Sequence, residues 1–390
     1  MSAKLDPVWQ RMTDAAVDLR HALHRQPELA WQEERTAATI RARLDELGIG
    51  WRECAGTGTI GLLAADRPGR HIALRGDIDA LPINEESGVE WVSERPGFMH
   101  ACGHDGHTAT LMAAATWLKQ HEDQLPGPVS LLFQPAEEGG HGARRMIENG
   151  ALDGVDAIFG WHNWPAIPYG KAVCPDGAVM AGNGSFEIVV KGRGGHSSQP
   201  EACRDPVLAG SAIVVALQQV VSRRLSPQFA TVLSVTSFEA PSALTVIPDS
   251  ATLRGSFRLG NSGTREPLSQ LIREVAECTA RAHGVDCEIT VHPRYDATVN
   301  HPAEAARYRQ ALVAELGDAV IDRELPLPIM ASEDFSYYLK KVPGAFALVG
   351  ADDGNNHHHP CHSPMYDFND RLIAPVAAVF ARLAGVPVPA

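Results

Sequence analysis

Apolar residues recur at helical spacing from the start of the chain. Val8, Met12, Ala15, Leu19 and Leu23 fall on one face, and the pattern breaks at Gln26 and Pro27. Ala37, Ile40, Leu44 and Leu47 repeat it, and Gly48 closes that second helix. The period then shortens. Runs at 71–75, 129–133 and 157–160 are apolar and of strand length, and a helical stretch at 108–119 separates the first two. Strands alternating with helices predict a parallel α/β sheet.

Between about 184 and 294 the order of elements changes. A strand at 186–190 is followed by a helix at 205–221, strands at 231–237 and 252–259, a helix at 266–283 and a strand at 287–291. This β-α-β-β-α-β order is the ferredoxin-like pattern. Helices at 303–316 and 334–340, a strand at 345–349 and a last helix starting near Asn369 return to the α/β type. The sequence therefore predicts a two-domain α/β protein. One α/β domain spans 1–183 and 295–390, and a ferredoxin-like α+β domain, 184–294, interrupts it.

Composition narrows the classes. The chain has 390 residues, 44% of them hydrophobic, enough for a sizeable core. Acidic residues give a net charge of −13, and no basic stripe appears. Nucleic acid is not an expected partner. No uninterrupted apolar run reaches the roughly 18 residues of a membrane span. Met1 to Asp6 lack an apolar signal core. Seven cysteines without regular spacing argue against a disulfide framework. A cytoplasmic protein without a membrane partner is the expectation.

Chemistry-bearing side chains gather where apolar runs give way to Gly or Pro. The segment 99–107 carries His100, Cys102, His104 and His107. Glu137 and Glu138 follow the run at 129–133, His162 follows 157–160, and His362 stands in a loop bounded by Pro360 and Pro364. Thiol, imidazole and carboxylate suit a borderline-soft divalent metal. The carboxyl ends of strands are where open α/β sheets place their sites. Cys102 at a helix N-terminus would have a lowered thiol pKa. It reads as a ligand, with a structural thiol or a catalytic nucleophile as alternatives. Adjacent Glu137 and Glu138 are costly unless a positive charge neutralises them. On an extended backbone they point apart, so one can bind metal while the other acts as general base. A solvent-exposed acidic turn is the alternative. Asp77 and Asp79 flank a strand end and could orient ligands from behind. The run His357, His358 and His359 reads as a solvated loop.

These motifs resemble the M20 metallopeptidase family, in its amidohydrolase branch of hippurate hydrolases, N-acyl-amino-acid deacylases and auxin-conjugate hydrolases. The resemblance runs from His24-Arg25-Gln26-Pro27-Glu28-Leu29, through Arg75-Gly76-Asp77-Ile78-Asp79 and the four segments above, to Tyr366-Asp367-Phe368-Asn369-Asp370. It includes Gly194-Gly195-His196-Ser197-Ser198 and Ser332-Glu333-Asp334-Phe335. It implies a zinc-peptidase-like catalytic domain and two divalent metal ions per subunit, manganese or zinc first, cobalt or nickel next. Cys102, His104, Glu138, His162 and His362 would be the ligands and Glu137 the base. Many M20 peptidases outside this branch have a bridging Asp in place of the Cys, which leaves the metal open. The ferredoxin-like domain would be a lid and dimerisation domain. His196 would reach the partner's active site in a homodimer and stabilise the oxyanion. Asn300 and Arg258 would touch substrate. The implied reaction is hydrolysis of the amide of an N-acyl-L-amino acid, hippurate-like, N-acetylated, indoleacylated, or an acetylated diamino acid such as N-acetyl-diaminobutyrate. The competing readings are a metallodipeptidase or carboxypeptidase, a non-catalytic metal-binding scaffold, and a cysteine hydrolase.

Overall fold

The computed structural model describes residues 7–389. The signal-core reading of Met1 to Asp6 lies outside them. The described residues form two compact units. The first holds those up to Val179, Val299–Leu325, and those from Asp334 on; the second is Met180–Thr298 with Pro326–Glu333. The second unit thus starts four residues before, and ends four residues after, the 184–294 segment read from the sequence, and it gains a stretch at 326–333.

The first unit is built on a seven-stranded sheet. Its strands lie in the order Gly50–Cys54, Gly58–Leu63, Val129–Gln134, Ile72–Asp77, Ala157–Pro168, Gly344–Asp352 and Ala172–Val173. The sheet is mixed, which corrects the parallel expectation. The four strands from Val129–Gln134 to Gly344–Asp352 are mutually parallel. The two strands on one side and the one on the other pair antiparallel. The parallel core reads as unbroken apolar runs because it is buried on both faces. Gly50–Cys54, which contains Trp51, Arg52 and Glu53, is a largely exposed edge. Helices Pro7–His24, His104–Gln120 and Ile373–Leu383 pack together beside this sheet, with Trp9, Leu111, Trp117 and Phe380 in the shared core.

The second unit contains the β-α-β-β-α-β order as a four-stranded antiparallel sheet. Its order is Thr231–Glu239, Ser250–Leu259, Gly182–Lys191, Asp286–Pro293. Numbering these strands by sequence gives 2-3-1-4, the ferredoxin-like arrangement. Phe186, Ile188 and Val190 alternate inward along the first of them. They meet Ile213 and Leu217 of helix Pro206–Gln219 and Ile272 and Ala276 of helix Arg265–Ala282 in a separate core. Residues 206–224 form the one helical stretch, among the described residues, long and apolar enough to cross a membrane by length and composition. Its Ile213 and Leu217 face is committed to this core.

Candidate metal centre

The five donors come from four segments of the first unit, and the backbone explains their convergence. Strand Ile72–Asp77 delivers Asp77 and then Asp79 at its carboxyl end. Strand Val129–Gln134 ends in a turn with Ala136 at φ +54°, which presents Glu137 and Glu138. Strand Ala157–Pro168 carries His162, and helix His104–Gln120 starts on His104. Gly103, at φ +86°, makes the entry to that helix. A Cβ there would lie 2.4 Å from Asn163 Oδ1 and 2.5 Å from Tyr366 Oη. Glycine is therefore required on two counts. His362 sits at φ +69°, in the left-handed region that a non-glycine residue enters at a cost. Its N–H donates to Ala101 O at 2.7 Å, which ties this loop to the Cys102 segment.

Donor atoms of Cys102, His104 and His162 lie within 4.8 Å of one another, as do those of Cys102, Glu138 and His362 and those of His104, Glu137 and Glu138. Cys102 is shared by the first two groups. Its Sγ lies 3.4 Å from His162 Nε2, and His362 Nε2 lies 3.0 Å from Glu138 Oε1. All five residues named as ligands from the sequence are thus brought together, with Glu137 beside them.

The surroundings test whether a metal fits. His104 gives its Nδ1 to Asp79 Oδ1 at 3.1 Å, and its Nε2 is buried without a hydrogen bond. His162 gives its Nδ1 to the Asn163 carbonyl at 2.6 Å, so Nε2 is the nitrogen turned to Cys102. A histidine whose Nδ1–H is spent this way offers its Nε2 lone pair to a metal. Charge agrees. Burial opposes protonation of His104, but Asp77, Asp79 and Glu138 outweigh it and push its pKa up to about 10. Burial and the neighbouring imidazoles His107 and His104 hold His162 neutral, well below the usual range. The pocket is acidic and calls for a cation. The donors fit a borderline divalent ion.

The thiol departs from the sequence expectation. Cys102 precedes the glycine cap of the helix and does not sit in its first turn. Its hydrogen bond to Cys361, then burial, then the charges of Cys361, Glu138 and Glu137, raise its pKa well above the ordinary value. A resting thiolate nucleophile is disfavoured, and the thiolate form needs a cation beside it.

Asp77 and Asp79 stand behind the donors. Asp79 holds His104 through one oxygen and accepts the Glu138 N–H at 2.9 Å through the other. Asp77 meets Arg75 at 2.5 Å and His107 Nδ1 at 2.6 Å. Burial pushes Asp77 up, but Arg75, His104 and His107 keep it well below the usual carboxylate range. His107 Nε2 reaches Asn163 Oδ1 at 2.7 Å, and Asn163 Nδ2 donates to Tyr366 Oη at 2.7 Å. Asp105, the second residue of the helix, forms an ion pair with Arg20 at 3.0 Å and meets His24 at 2.8 Å. Glu137 is buried, and its Oε1 accepts the Asp334 N–H at 3.2 Å. Asp334 is itself fixed by Gln134, Arg75 and the Ala143 N–H. Sequence reading assigned no role to His107, Asn163, Tyr366, Asp105, Arg20 or Asp334. Their signal is burial of charged and polar groups, which only the folded chain exposes. His357 pairs with Asp353 and Asp367, and none of the three adjacent histidines belongs to a donor group among the described residues.

The other expected site residues divide. Asn300 lies in the first unit, with its amide spent on strand Gly344–Asp352: Nδ2 donates to Phe346 O at 2.9 Å and Oδ1 accepts Phe346 N–H at 2.8 Å. Arg258, in the second unit, is half-buried and donates to Ser332 Oγ at 2.9 Å. Burial, then Arg294, lowers its pKa, and it makes no ion pair among the described residues. His196, also in the second unit, is exposed on a short ladder with Val246 and Ile247. Its Nδ1 lies 3.1 Å from Ser198 N and 2.8 Å from Ser198 Oγ.

Comparison with known proteins decides the family. The pattern of Peptidase family M20/M25/M40 matches residues 73–385. The chain belongs to that family. It is 41% identical to IAA-amino acid hydrolase ILR1-like 2 of Arabidopsis thaliana, over 95% of this chain and 84% of the relative. It is 37% identical to the hippurate hydrolase of Campylobacter jejuni, over 94% of each. It is 40% identical to an N-acetyl-L-cysteine deacetylase of Bacillus subtilis, over 88% and 82%. Among solved structures, a dinuclear metal-binding M20 peptidase from Bacillus subtilis matches at TM-score 0.82 and 33% identity, over 96% and 98%.

Proposed function

We propose that this M20 protein is a metal-dependent amidohydrolase that cleaves the amide of N-acyl-L-amino acids. The observation that carries this reading is the group of five donors, with Cys102, His104 and His162 buried, Glu138 half-buried and His362 exposed, and Glu137 next to them. The resemblance to a hippurate hydrolase, a deacetylase and an auxin-conjugate hydrolase over most of the chain points to the same substrate class. Cys102, His104, Glu138, His162 and His362 would hold two divalent ions, manganese or zinc, with cobalt or nickel as alternatives. When bound, these ions supply Lewis acidity to the carbonyl and to the attacking water.

The protein's own groups do the rest. Glu137 takes the water's proton and passes it to the leaving nitrogen. The hydrogen bond from Asp334 N–H fixes which way its carboxylate faces. His196, with Nδ1 accepting from Ser198 N–H, presents Nε2–H as a donor to the developing oxyanion. Arg258, half-buried and without an acidic partner among the described residues, suits a substrate carboxylate. Asn300 supports the strand at Phe346.

A homodimer through the second unit is part of this reading. Leu208 and Val215 on helix Pro206–Gln219, and Val232 and Phe238 on the edge strand Thr231–Glu239, are exposed. The unpaired thiols support a reducing, cytoplasmic setting. The test is a panel of N-acyl amino acids and free dipeptides, run on the metal-loaded and chelated protein. Chelator-sensitive cleavage of acylated substrates supports the reading. Cleavage of free dipeptides alone makes the protein a dipeptidase. Chelator-resistant cleavage with an acyl group trapped on Cys102 makes it a cysteine hydrolase.

A further inference from the structure

Cys361 has no part in the chemistry above. It precedes His362, in the loop whose backbone lies against the segment carrying Cys102, where His362 N–H donates to Ala101 O at 2.7 Å. Each cysteine is therefore next in sequence to one end of the same hydrogen bond. The side chains converge too. Cys361 Sγ lies 3.9 Å from Asn163 Nδ2, and Cys102 Sγ lies 3.4 Å from Nε2 of the preceding residue, His162. Cys361 is also the largest single influence on the Cys102 thiol, ahead of burial. Neither is in a disulfide, Cys102 is buried, and Cys361 is half-buried. A dissolved oxidant meets Cys361 first.

We propose that Cys102 and Cys361 are a reversible oxidation site, whose disulfide forms in the metal-free protein and shuts off metal binding by removing Cys102 from the donor set. The proposal rests on the reading of Cys102 as a ligand. The oxidant is a peroxide. Hydrogen peroxide oxidises the Cys361 thiol to a sulfenic acid and is reduced to one water. Cys102 Sγ then attacks that sulfur. The S–S bond forms, the S–O bond breaks, and the hydroxyl leaves with the Cys102 proton as a second water. Two thiols give up two electrons and two protons, and one peroxide becomes two waters. A metal held by Cys102 occupies the attacking sulfur, so metal and disulfide exclude each other reciprocally.

The test uses the full-length protein, stripped of metal and treated with stoichiometric hydrogen peroxide. Free thiols are alkylated and the digest is read by mass spectrometry. The expected product is a peptide pair joining Cys102 to Cys361, lighter by two hydrogens than its parts and abolished by dithiothreitol. Zinc uptake, measured by elemental analysis, should be lost as the link appears, and loading zinc first should suppress the link. Cys361→Ser should take up zinc normally and keep doing so after peroxide. If Cys361 is carried on to sulfinic acid with no link to Cys102, the proposal is overturned. A link that leaves zinc uptake unchanged also overturns it. Cys102→Ser run in parallel then locates the fault: normal zinc uptake by that variant means Cys102 is not a ligand and the functional reading itself fails.

Discussion

At the scale of single residues, the proposed site divides labour between neighbours of like charge. Glu138 is drawn to His362, whereas Glu137 turns to the Asp334 N–H. Glu137→Gln keeps size and shape but removes the proton acceptor. It should lower kcat by about 10² to 10⁴, the usual share of general acid–base catalysis, with metal content unchanged by elemental analysis. Retained activity, or lost metal, would show that the roles of Glu137 and Glu138 are reversed. Asp79 works one step back, holding both the His104 ring and the Glu138 backbone. Asp79→Asn sets an amide NH₂ against one of those N–H donors. Metal affinity should fall about 10- to 100-fold in a chelator competition, with the fold intact by circular dichroism. The proposed ligands were legible in the sequence because thiol, imidazole and carboxylate at strand ends are chemically conspicuous. The line His107–Asn163–Tyr366 was not. Each of those residues is ordinary alone, and their meaning lies in contacts between segments separated by up to 203 residues.

At the scale of elements, ligand placement depends on turns as much as on strands and helices. The helix after Gly103 begins at His104, four residues before the Thr108 start read from apolar periodicity. Its first turn, His104 to His107, is polar yet fully buried, so no hydrophobic stripe marks it. The short strands Gly50–Cys54 and Gly58–Leu63 escaped notice because glycine and charge interrupt them. The turn at Ala136 is braced from outside the motif. Glu33 accepts the Ala136 N–H at 2.9 Å and the Thr57 hydroxyl at 2.7 Å. Burial, then Asp79, pushes the Glu33 carboxyl up to about 7 from an ordinary 4.5, against those two hydrogen bonds. The folded state therefore holds a proton that the unfolded chain releases. The stability Glu33 contributes is complete below about 4.5 and is lost as pH rises to about 7. Glu33→Gln keeps an acceptor for Ala136 N–H and cannot ionise. Its gain in Tm relative to wild type should be larger at pH 8 than at pH 5. An equal difference at both values would mean that Glu33 carries no extra proton in the fold.

At the scale of the whole molecule, the proposed oxyanion donor and the proposed metal donors belong to different units, and the homodimer proposed above is tested through them. His196 is exposed, preceded by Gly194 and Gly195, and belongs to the unit that holds none of the five proposed ligands. The proposed ligands and Glu137 lie wholly in the other. His196→Ala should cut kcat by about 10² to 10³, the usual effect of losing one oxyanion donor, with metal content unchanged. Subunit mixing separates action across a dimer from action within one chain. A dimer of Glu137→Gln lacks the base in both sites, and a dimer of His196→Ala lacks the donor in both. If each site pairs Glu137 of one chain with His196 of the other, a mixed dimer has one site with both groups and one with neither. Activity should then rise on mixing, toward one working site per mixed dimer, in step with subunit exchange followed by mass spectrometry. If the two groups act within one chain, every site in the mixture still lacks one of them, and activity stays at the level of the parent variants even after exchange is complete.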